Sequence, residues 1–381
     1  MPTLFSRGAV ILIAMMFGLT YSLSAALIAL DLVARGLSET MIGANVAMHA
    51  VGVLATAMVL PRIVARVGMR RLVILALVLA ALVLAAFPAA PFLWLWFPLR
   101  FLLGTSSEIL FVLSETWTNS LSTEDTRARS MAAYTAALSV GFAVGPLILS
   151  VIGSTGYTPY LLGSAITLAA AAFIASPKVV APEFEKPAAG SPLRFMQLAP
   201  VAMSATVLNA AIETAGLSFL AIYAVNLGWP EDSATRLMSC MMIGAILLQL
   251  PIGWLGDKMD RIALVGALAA LSALGALVWP VALKNEIATY ALLFVWGGAF
   301  VGIYTIMLTV VGSRFAGSEL IGIYAVMGLM WGVGALVGPV AAGAAMEMSF
   351  HGLAFFAATA CAAFLLSVVM ARRKAPVPAA P

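Results

Sequence analysis

Ionisable residues are scarce in this chain, and those that interrupt its apolar runs are the ones that could do chemistry. Arg100, Glu108 and Glu115 share one such run. On a helix turning about 100° per residue, Glu108 and Glu115 differ by only about 20°, with Arg100 within about 60–80° of both. A guanidinium beside carboxylates can hold an anionic group or tune a carboxylate that exchanges a proton. The plainer alternatives are a mutual or interhelical ion pair for Arg100 and Glu108, and a pair between Glu115 and Arg66, Arg70 or Arg71. Asn209 and Glu213 stand four apart in a second run and so share a helix face. Glu213 serves there either as a charge or proton carrier or as a local partner of Thr214 or a neighbour. His49 lies in a third run, where a helix-to-helix hydrogen bond is the simpler reading.

Such residues need elements that carry them through an apolar medium. Of 381 residues, 63% are hydrophobic and 9% charged, against about 45–50% and about 25% in soluble domains. Mean hydropathy is +1.08. So few charges cannot clothe a water-facing surface, which excludes soluble enzymes, solenoids and disordered scaffolds and leaves a polytopic protein whose partner is the lipid bilayer. The net charge of +4 is spread too thinly for a nucleic-acid surface. Cys240 and Cys361 sit inside apolar runs and suggest neither a disulfide nor a metal site, and two histidines are too few for a zinc cluster. No phosphate loop or nucleophile–base set is visible, so neither cofactor nor enzyme is expected.

Apolar stretches of membrane-spanning length recur near 8–32, 40–60, 72–90, 92–117, 130–152, 157–176, 196–224, 234–255, 262–283, 286–311, 320–346 and 350–371. Their Ala/Leu/Gly texture predicts twelve helices rather than a barrel. The first is too long for a cleaved leader, despite Arg7 ahead of it. Basic residues fix the orientation. With the amino terminus cytoplasmic, that side holds Arg7, Arg62, Arg66, Arg70, Arg71, Arg127, Arg129, Lys178, Lys186, Arg194, Lys258, Arg261, Arg314, Arg372, Arg373 and Lys374. The other side holds Arg35, Arg236 and Lys284. The positive-inside rule therefore predicts both termini in the cytoplasm.

The chain also repeats itself. After the second span it reads Pro61-Arg-Ile-Val-Ala65-Arg66-Val-Gly68-Met-Arg70-Arg71. After the eighth it reads Gly253-Trp-Leu-Gly-Asp257-Lys258-Met-Asp260-Arg261, at an offset of 192. The fifth span carries Gly141-x-x-x-Gly145-Pro146 and the eleventh Gly334-x-x-x-Gly338-Pro339, at an offset of 193. Two agreeing offsets indicate a duplicated six-helix unit: bundles over 1–176 and 196–371, a Pro-rich charged cytoplasmic linker over 177–195, and a tail over 372–381.

These motifs resemble the major facilitator superfamily, whose loop pattern is Gly-x-x-x-Asp-Arg/Lys-x-Gly-x-Arg-Arg/Lys. The second copy keeps Gly253, Asp257, Lys258 and Arg261, with Asp260 where Gly is frequent. The first keeps Arg66, Gly68, Arg70 and Arg71 but has Pro61 and Ala65 for Gly and Asp. Arg100-x-x-x-Gly104 resembles the fourth-helix motif, and Gly141-x-x-x-Gly145-Pro146 the fifth-helix element of antiporters, without its later Gly pair. The run from Arg100 through Glu115 to Pro146, with Pro251-Ile-Gly-Trp-Leu-Gly-Asp257, resembles the YcaD-like bacterial branch.

The resemblance implies an all-α membrane protein of twelve transmembrane helices in two pseudo-symmetric six-helix bundles, working by alternating access around a central cavity. Spans one, four, seven and ten line that cavity in the superfamily. Arg100, Glu108, Asn209 and Glu213 then become solute and proton candidates, with Tyr21, Ser22, Ser24, Trp296, Tyr304 and Thr305 as polar and aromatic lining. A charge pair between Arg100 and Glu213, one from each bundle, would suit a switch. Arg66, Gly68, Arg70, Arg71, Glu115, Gly253, Asp257, Lys258 and Arg261 form the expected cytoplasmic gate. Gly141, Gly145, Pro146, Gly334, Gly338 and Pro339 are expected helix hinges, or plain close packing. Asp31 reads as an interfacial residue. The expected activity is secondary transport of a small organic or amphipathic solute by a monomer in a bacterial cytoplasmic (inner) membrane, coupled to protons and favouring export. An importer or facilitator of a small organic anion held by Arg100 is the alternative. A non-transporting receptor or scaffold on the same fold is a third.

Overall fold

The structure is a computed structural model that describes residues 4–121, 124–181, 192–315 and 317–374. Most of the expected linker (182–191, with Lys186), the tail from 375 onward, and the side chains of Arg127, Arg129, Arg373 and Lys374 lie outside what is described. The chain divides into two compact units, one of Met1–Pro187 with Leu217–Ser239 and one of Ala188–Gly216 with Cys240–Pro381.

The described residues are helical almost throughout. In the first half the helices are α1 (Leu4–Ala34), α2 (Glu39–Val67), α3 (Met69–Ala86), α4 (Trp96–Ser120, preceded by a 3-10 turn at Leu93–Leu95), α5 (Glu124–Ile152) and α6 (Thr158–Ile174). A short α7 (Pro192–Leu198) leads to α8 (Pro200–Asn226), α9 (Glu231–Leu247), α10 (Gln249–Lys258), α11 (Arg261–Ala282), α12 (Glu286–Arg314), α13 (Gly317–Met348) and α14 (Gly352–Lys374). Eleven helices among the described residues are long and apolar enough to cross a membrane, with α9 and α10 making one such helix across a single break. The seventeen-residue α6 is shorter, at the lower limit of a spanning helix of about 17 residues. The expected twelve are therefore present. Large apolar side chains such as Met58, Val151, Leu250 and Val281 stand exposed, as a lipid-facing surface requires.

Three expectations are corrected. Both repeated basic motifs are mostly helical rather than looped. Helix α2 continues through Pro61 to Val67, and only Gly68 separates it from α3, while only Met259 and Asp260 separate α10 from α11. Once backbone hydrogen bonding is established in the span, it propagates one bond per residue past the last apolar side chain. Gly68 makes the first corner possible with φ +85° and ψ 148°, a region open essentially to glycine alone. Asp260 makes the second by N-capping, its carboxylate accepting from the Ala263 N–H at 2.6 Å. Next, the expected linker over 177–195 overlaps the helix Pro192–Leu198, and the seventh span begins only at Pro200, after a break at Ala199. Last, the final helix runs to Lys374, three residues into the expected tail.

The Gly-x-x-x-Gly segments mark where helices touch backbone to backbone. In the first unit a Cβ on Gly141 would lie 2.2 Å from the Met15 carbonyl oxygen, and one on Gly145 2.6 Å from the Leu23 nitrogen. Helices α1 and α5 cross there. In the second unit, Gly334 and Gly338 meet Val207 and Ala211 of α8 just as closely. A second pair of crossings repeats the pattern. A Cβ on Gly52 of α2 would meet the Phe101 carbonyl at 2.1 Å, and one on Gly104 of α4 the His49 carbonyl at 2.0 Å. Their counterparts at offsets of 192 and 193 are Gly244 of α9 against Phe294, at 2.0 Å, and Gly297 of α12 against Met241, at 2.2 Å. The duplication thus lies in the helix contacts as well as in the motifs.

Candidate functional site

Close crossing decides which polar groups meet. In the first unit, Tyr21 and Ser24 come from α1, His49 from α2 and Arg100 from α4. Arg100 is buried, 2% exposed, and its Nη1 donates to the Ser24 carbonyl at 3.0 Å. Its expected ion pair with Glu108 does not form. Eight residues along a helix separate the two by about 12 Å, and a helix carbonyl of α1 is nearer. Arg100 Nε is left buried without a partner. The Tyr21 ring packs edge-on to the His49 ring at 4.8 Å between centroids and joins Phe17 and Phe142 in one aromatic cluster. His49 is buried, but neither ring nitrogen finds the expected helix-to-helix hydrogen bond. Glu108 is half-buried, with no hydrogen bond among the described residues. Ser22 and Ser24 hydroxyls donate back to Leu19 and Tyr21 carbonyls of their own helix, leaving them little freedom to line a cavity.

In the second unit, Asn209 Nδ2 donates to Glu213 Oε2 at 3.0 Å along α8, the local bonding expected of a pair four apart. Asn209 Oδ1 remains buried and unpartnered. Trp296 departs from its expected lining role. It is 2% exposed, its indole N–H donates to the Ser272 carbonyl at 2.8 Å, and it stacks on Phe300 and packs against Trp279. It secures α12 to α11. Tyr304 is half-buried, and Thr305 donates to its own helix at Val301.

The expected gate residues divide into engaged and open ones. Arg70 does not pair with Glu115; it donates to three carbonyls, Ile174 at 3.0 Å, Ala175 at 2.6 Å and Ser176 at 2.7 Å. Those are the orphan acceptors at the end of α6, where the helix dipole also favours a cation. Arg66 and Arg71 are exposed, and none of Arg66, Arg70 and Arg71 bonds Glu115. In the second copy, Asp257 is exposed and lies 3.8 Å from Arg261, whose Nε donates to the Gly256 carbonyl. Lys258 covers the Trp254 ring at 4.1 Å, and nothing lies within 4 Å of a Cβ on Gly253. Asp260, besides capping α11, pairs with Arg372.

Sequence reasoning missed two groups. Asn45, one turn before His49 on α2, is fully buried with both amide atoms unpartnered; its spacing of four from His49 was the available signal. Asp31 is more than interfacial: it pairs with Arg35 at 3.0 Å and accepts from the Tyr160 hydroxyl at 3.0 Å, while Arg35 covers the Trp96 ring. Among the described residues no group of His, Cys, Asp or Glu could hold a metal ion.

Comparison with known proteins agrees with this architecture. The model of the Major Facilitator Superfamily matches residues 10–201 and again 202–381. The chain is 25% identical over 338 residues to the uncharacterized MFS-type transporter YfkF of Bacillus subtilis, covering 86% of each chain. It is 24% identical over 250 residues to the MFS-type transporter YcaD of Escherichia coli, covering 65% of this chain and 64% of that one. Among solved structures, the nucleoside transporter NupG superposes with a TM-score of 0.77 at 14% identity, over 98% of this chain and 100% of the other. The D-xylose-proton symporter superposes with 0.74 at 14% identity, over 96% of each. At these identities the solved structures speak for the fold alone. With two matches that together span nearly the whole chain, and with the YcaD-like relatives that its motifs led one to expect, this multi-pass bacterial membrane protein belongs to the Major Facilitator Superfamily and is a secondary transporter, not an enzyme.

Proposed function

We propose that the protein exchanges a small organic or amphipathic solute for protons across the bacterial cytoplasmic membrane, in the export direction, as a monomer with both termini in the cytoplasm. Its two bundles, 1–176 and 196–371, alternate access to the solute. The observation that carries the proton part is the Asn209–Glu213 pair. A carboxylate in an apolar helix, held only by a neutral amide among the described residues, has no fixed counter-charge, so it can take up and release a proton. Arg100 cannot, because a guanidinium keeps its charge. Glu108, at a different place in the repeat, is the proton-carrying candidate of the first unit. Export follows the antiporter-like element Gly141-x-x-x-Gly145-Pro146, which with Gly334-x-x-x-Gly338-Pro339 serves as a hinge. Carboxylates rather than clustered carbonyl and hydroxyl oxygens favour protons over sodium. One proton moving down 100 mV supplies about 2.3 kcal/mol, enough for about a fifty-fold solute gradient at ~1.4 kcal/mol per tenfold.

A thermal-shift screen of metabolites and drugs at two pH values identifies the solute, and counterflow in proteoliposomes, with and without a pH gradient, tests the coupling. Glu213→Gln is expected to abolish pH-driven accumulation while leaving solute–solute counterflow within a few-fold of wild type. Undiminished pH-driven flux in that variant, or in a Glu108→Gln, Glu213→Gln double variant, would sink the proton assignment. The unpartnered Arg100 Nε supports the second reading, import of an organic anion, for which counterflow is indifferent to the pH gradient.

A further inference from the structure

A buried cation in the first unit has no counter-charge among the described residues, and that deficit points to a ligand. Among the described residues no carboxylate forms an ion pair with Arg100. The nearest acid on α1, Asp31, is committed to Arg35 and Tyr160. An arginine does not neutralise itself by losing its proton, and removing one charge from water unpaired is among the costliest arrangements a protein can hold. The Ser24 carbonyl supplies a dipole, not a charge.

Two further side chains share the deficit. Asn45 is 0% exposed and His49 5%, and all four of their polar atoms are buried without partners. Their position follows from the crossing. Helices α2 and α4, separated by one intervening span, run the same way and touch at Gly52 and Gly104. Three to four residues before that point lie His49 on one helix and Arg100 on the other. Tyr21 holds the His49 ring from α1, one turn from the carbonyl that Arg100 uses. His49, Tyr21 and Tyr160 all lie within electrostatic range of the guanidinium.

The second half of the chain provides an internal control. At the same offsets of 192 and 193, Asn45, His49 and Arg100 correspond to Leu237, Met241 and Leu293. All three are buried, and the same glycine crossing is built beside them. The crossing therefore does not require polarity. Polar groups buried without partners where apolar ones would serve are best explained by something they bind.

We propose that the first unit binds a small monovalent anion between α1, α2 and α4, held by Arg100 Nε, Asn45 Nδ2 and a ring N–H of His49. A water would satisfy donors but no charge, and a cation would be repelled. The near-complete burial of all three side chains suits an ion the size of chloride or formate rather than the body of an organic solute. This site does not depend on Glu213 or on proton coupling; under the second reading, in which Arg100 holds an organic anion, the solute's carboxylate would take the same place.

The test uses purified full-length protein in detergent, exchanged into sodium gluconate. It is melted at rising chloride, bromide, formate or sulfate, with ionic strength held constant by gluconate. Chloride and bromide are expected to raise the midpoint saturably by several degrees, with sulfate inert. A matching rise with formate means that the site also takes a carboxylate, the group an organic acid would present. A variant carrying the second half's residues, Asn45→Leu with His49→Met and Arg100→Leu, is expected to melt at a midpoint indifferent to all four anions. A wild-type midpoint unmoved by chloride, bromide and formate overturns the proposal, as does a triple variant that keeps the wild-type response. If that variant cannot be purified, anomalous scattering from bromide-soaked wild-type crystals decides. A peak within hydrogen-bond distance of Arg100 supports the site, and its absence there refutes it.

Discussion

The α2–α4 crossing of the first unit and the α9–α12 crossing of the second are one design executed twice with different cargo. Each is made by a pair of glycines lying against a facing carbonyl, Gly52 and Gly104 in one, Gly244 and Gly297 in the other. Around the first stand Asn45, His49 and Arg100; at the equivalent places around the second stand Leu237, Met241 and Leu293. Burying amide, imidazole and guanidinium costs free energy that leucine and methionine do not. The difference separates two kinds of requirement. The glycines serve the fold and are kept in both halves, while the polar residues serve something that only the first half does. The carboxylates follow a related division. With α1 and α8 aligned through their glycine contacts, at an offset of 192, Glu213 falls where Tyr21 stands in the first half.

The largest effects should come from the shared part. Gly104→Val and Gly297→Val each place a branched side chain against a backbone carbonyl that a bare Cβ would already meet at 2.0 or 2.2 Å. Overpacking a core costs about 1–3 kcal/mol or more, and here the helices themselves must separate. Both variants are expected to lose most of their folded, monodisperse protein in detergent, measured by fluorescence-detected size exclusion. Gly253→Val, in open space, should lose none. Collapse of one crossing but not the other would break the equivalence.

A smaller contrast lies at the two corners. Gly68→Ala forces a side chain into a backbone conformation that costs about 1–3 kcal/mol, whereas Asp260→Ala removes an N-cap worth about 1 kcal/mol. The loss of the Arg372 pair adds little, since both side chains are exposed. Thermal melting should therefore place Gly68→Ala below Asp260→Ala, and the reverse order would mean that the capped corner, not the strained one, is the weaker joint.

Much of this was legible from residue types alone, and the remainder failed for identifiable reasons. The spans, their number and the close helix contacts at Gly141, Gly145, Gly334 and Gly338 follow from hydropathy and small-residue spacing, because lipid leaves the backbone no choice but helices and lets small residues bring them together. The charged stretches around Arg66 and Lys258 read as loops, yet are helical, since charge marks the end of the apolar slab and not the end of the helix. Trp296 and Tyr21 look alike as aromatic lining in a sequence. Only the direction of each side chain shows that the first donates to Ser272 and secures α12 to α11. Arg70 reads as a gate residue from its motif and from Glu115, while the carbonyls at the end of α6 that it binds instead carry no sequence signature. Asn45 carries only the weak signal of its spacing from His49 until its burial and its apolar counterpart Leu237 are known.

The finest contrast sets Asp257 against its counterpart Ala65. Asp257 is exposed and 3.8 Å from Arg261, a pairing that contributes at most about 1 kcal/mol. Asp257→Asn should therefore leave the melting midpoint within about 4 °C of wild type, since about 1 kcal/mol shifts a domain of 150–250 residues by only 2–4 °C. Ala65 is exposed too, so Ala65→Ser should be equally silent in stability. In transport the two are expected to part, with Asp257→Asn slowing exchange several-fold and Ala65→Ser leaving it unchanged. An exposed carboxylate that does little for the folded state yet matters to turnover must act in a state of the cycle other than this one. Equal transport rates in the two variants would instead make the two basic motifs interchangeable, leaving the polar residues of the first crossing and the carboxylate of α8 as the asymmetries with a claim on function.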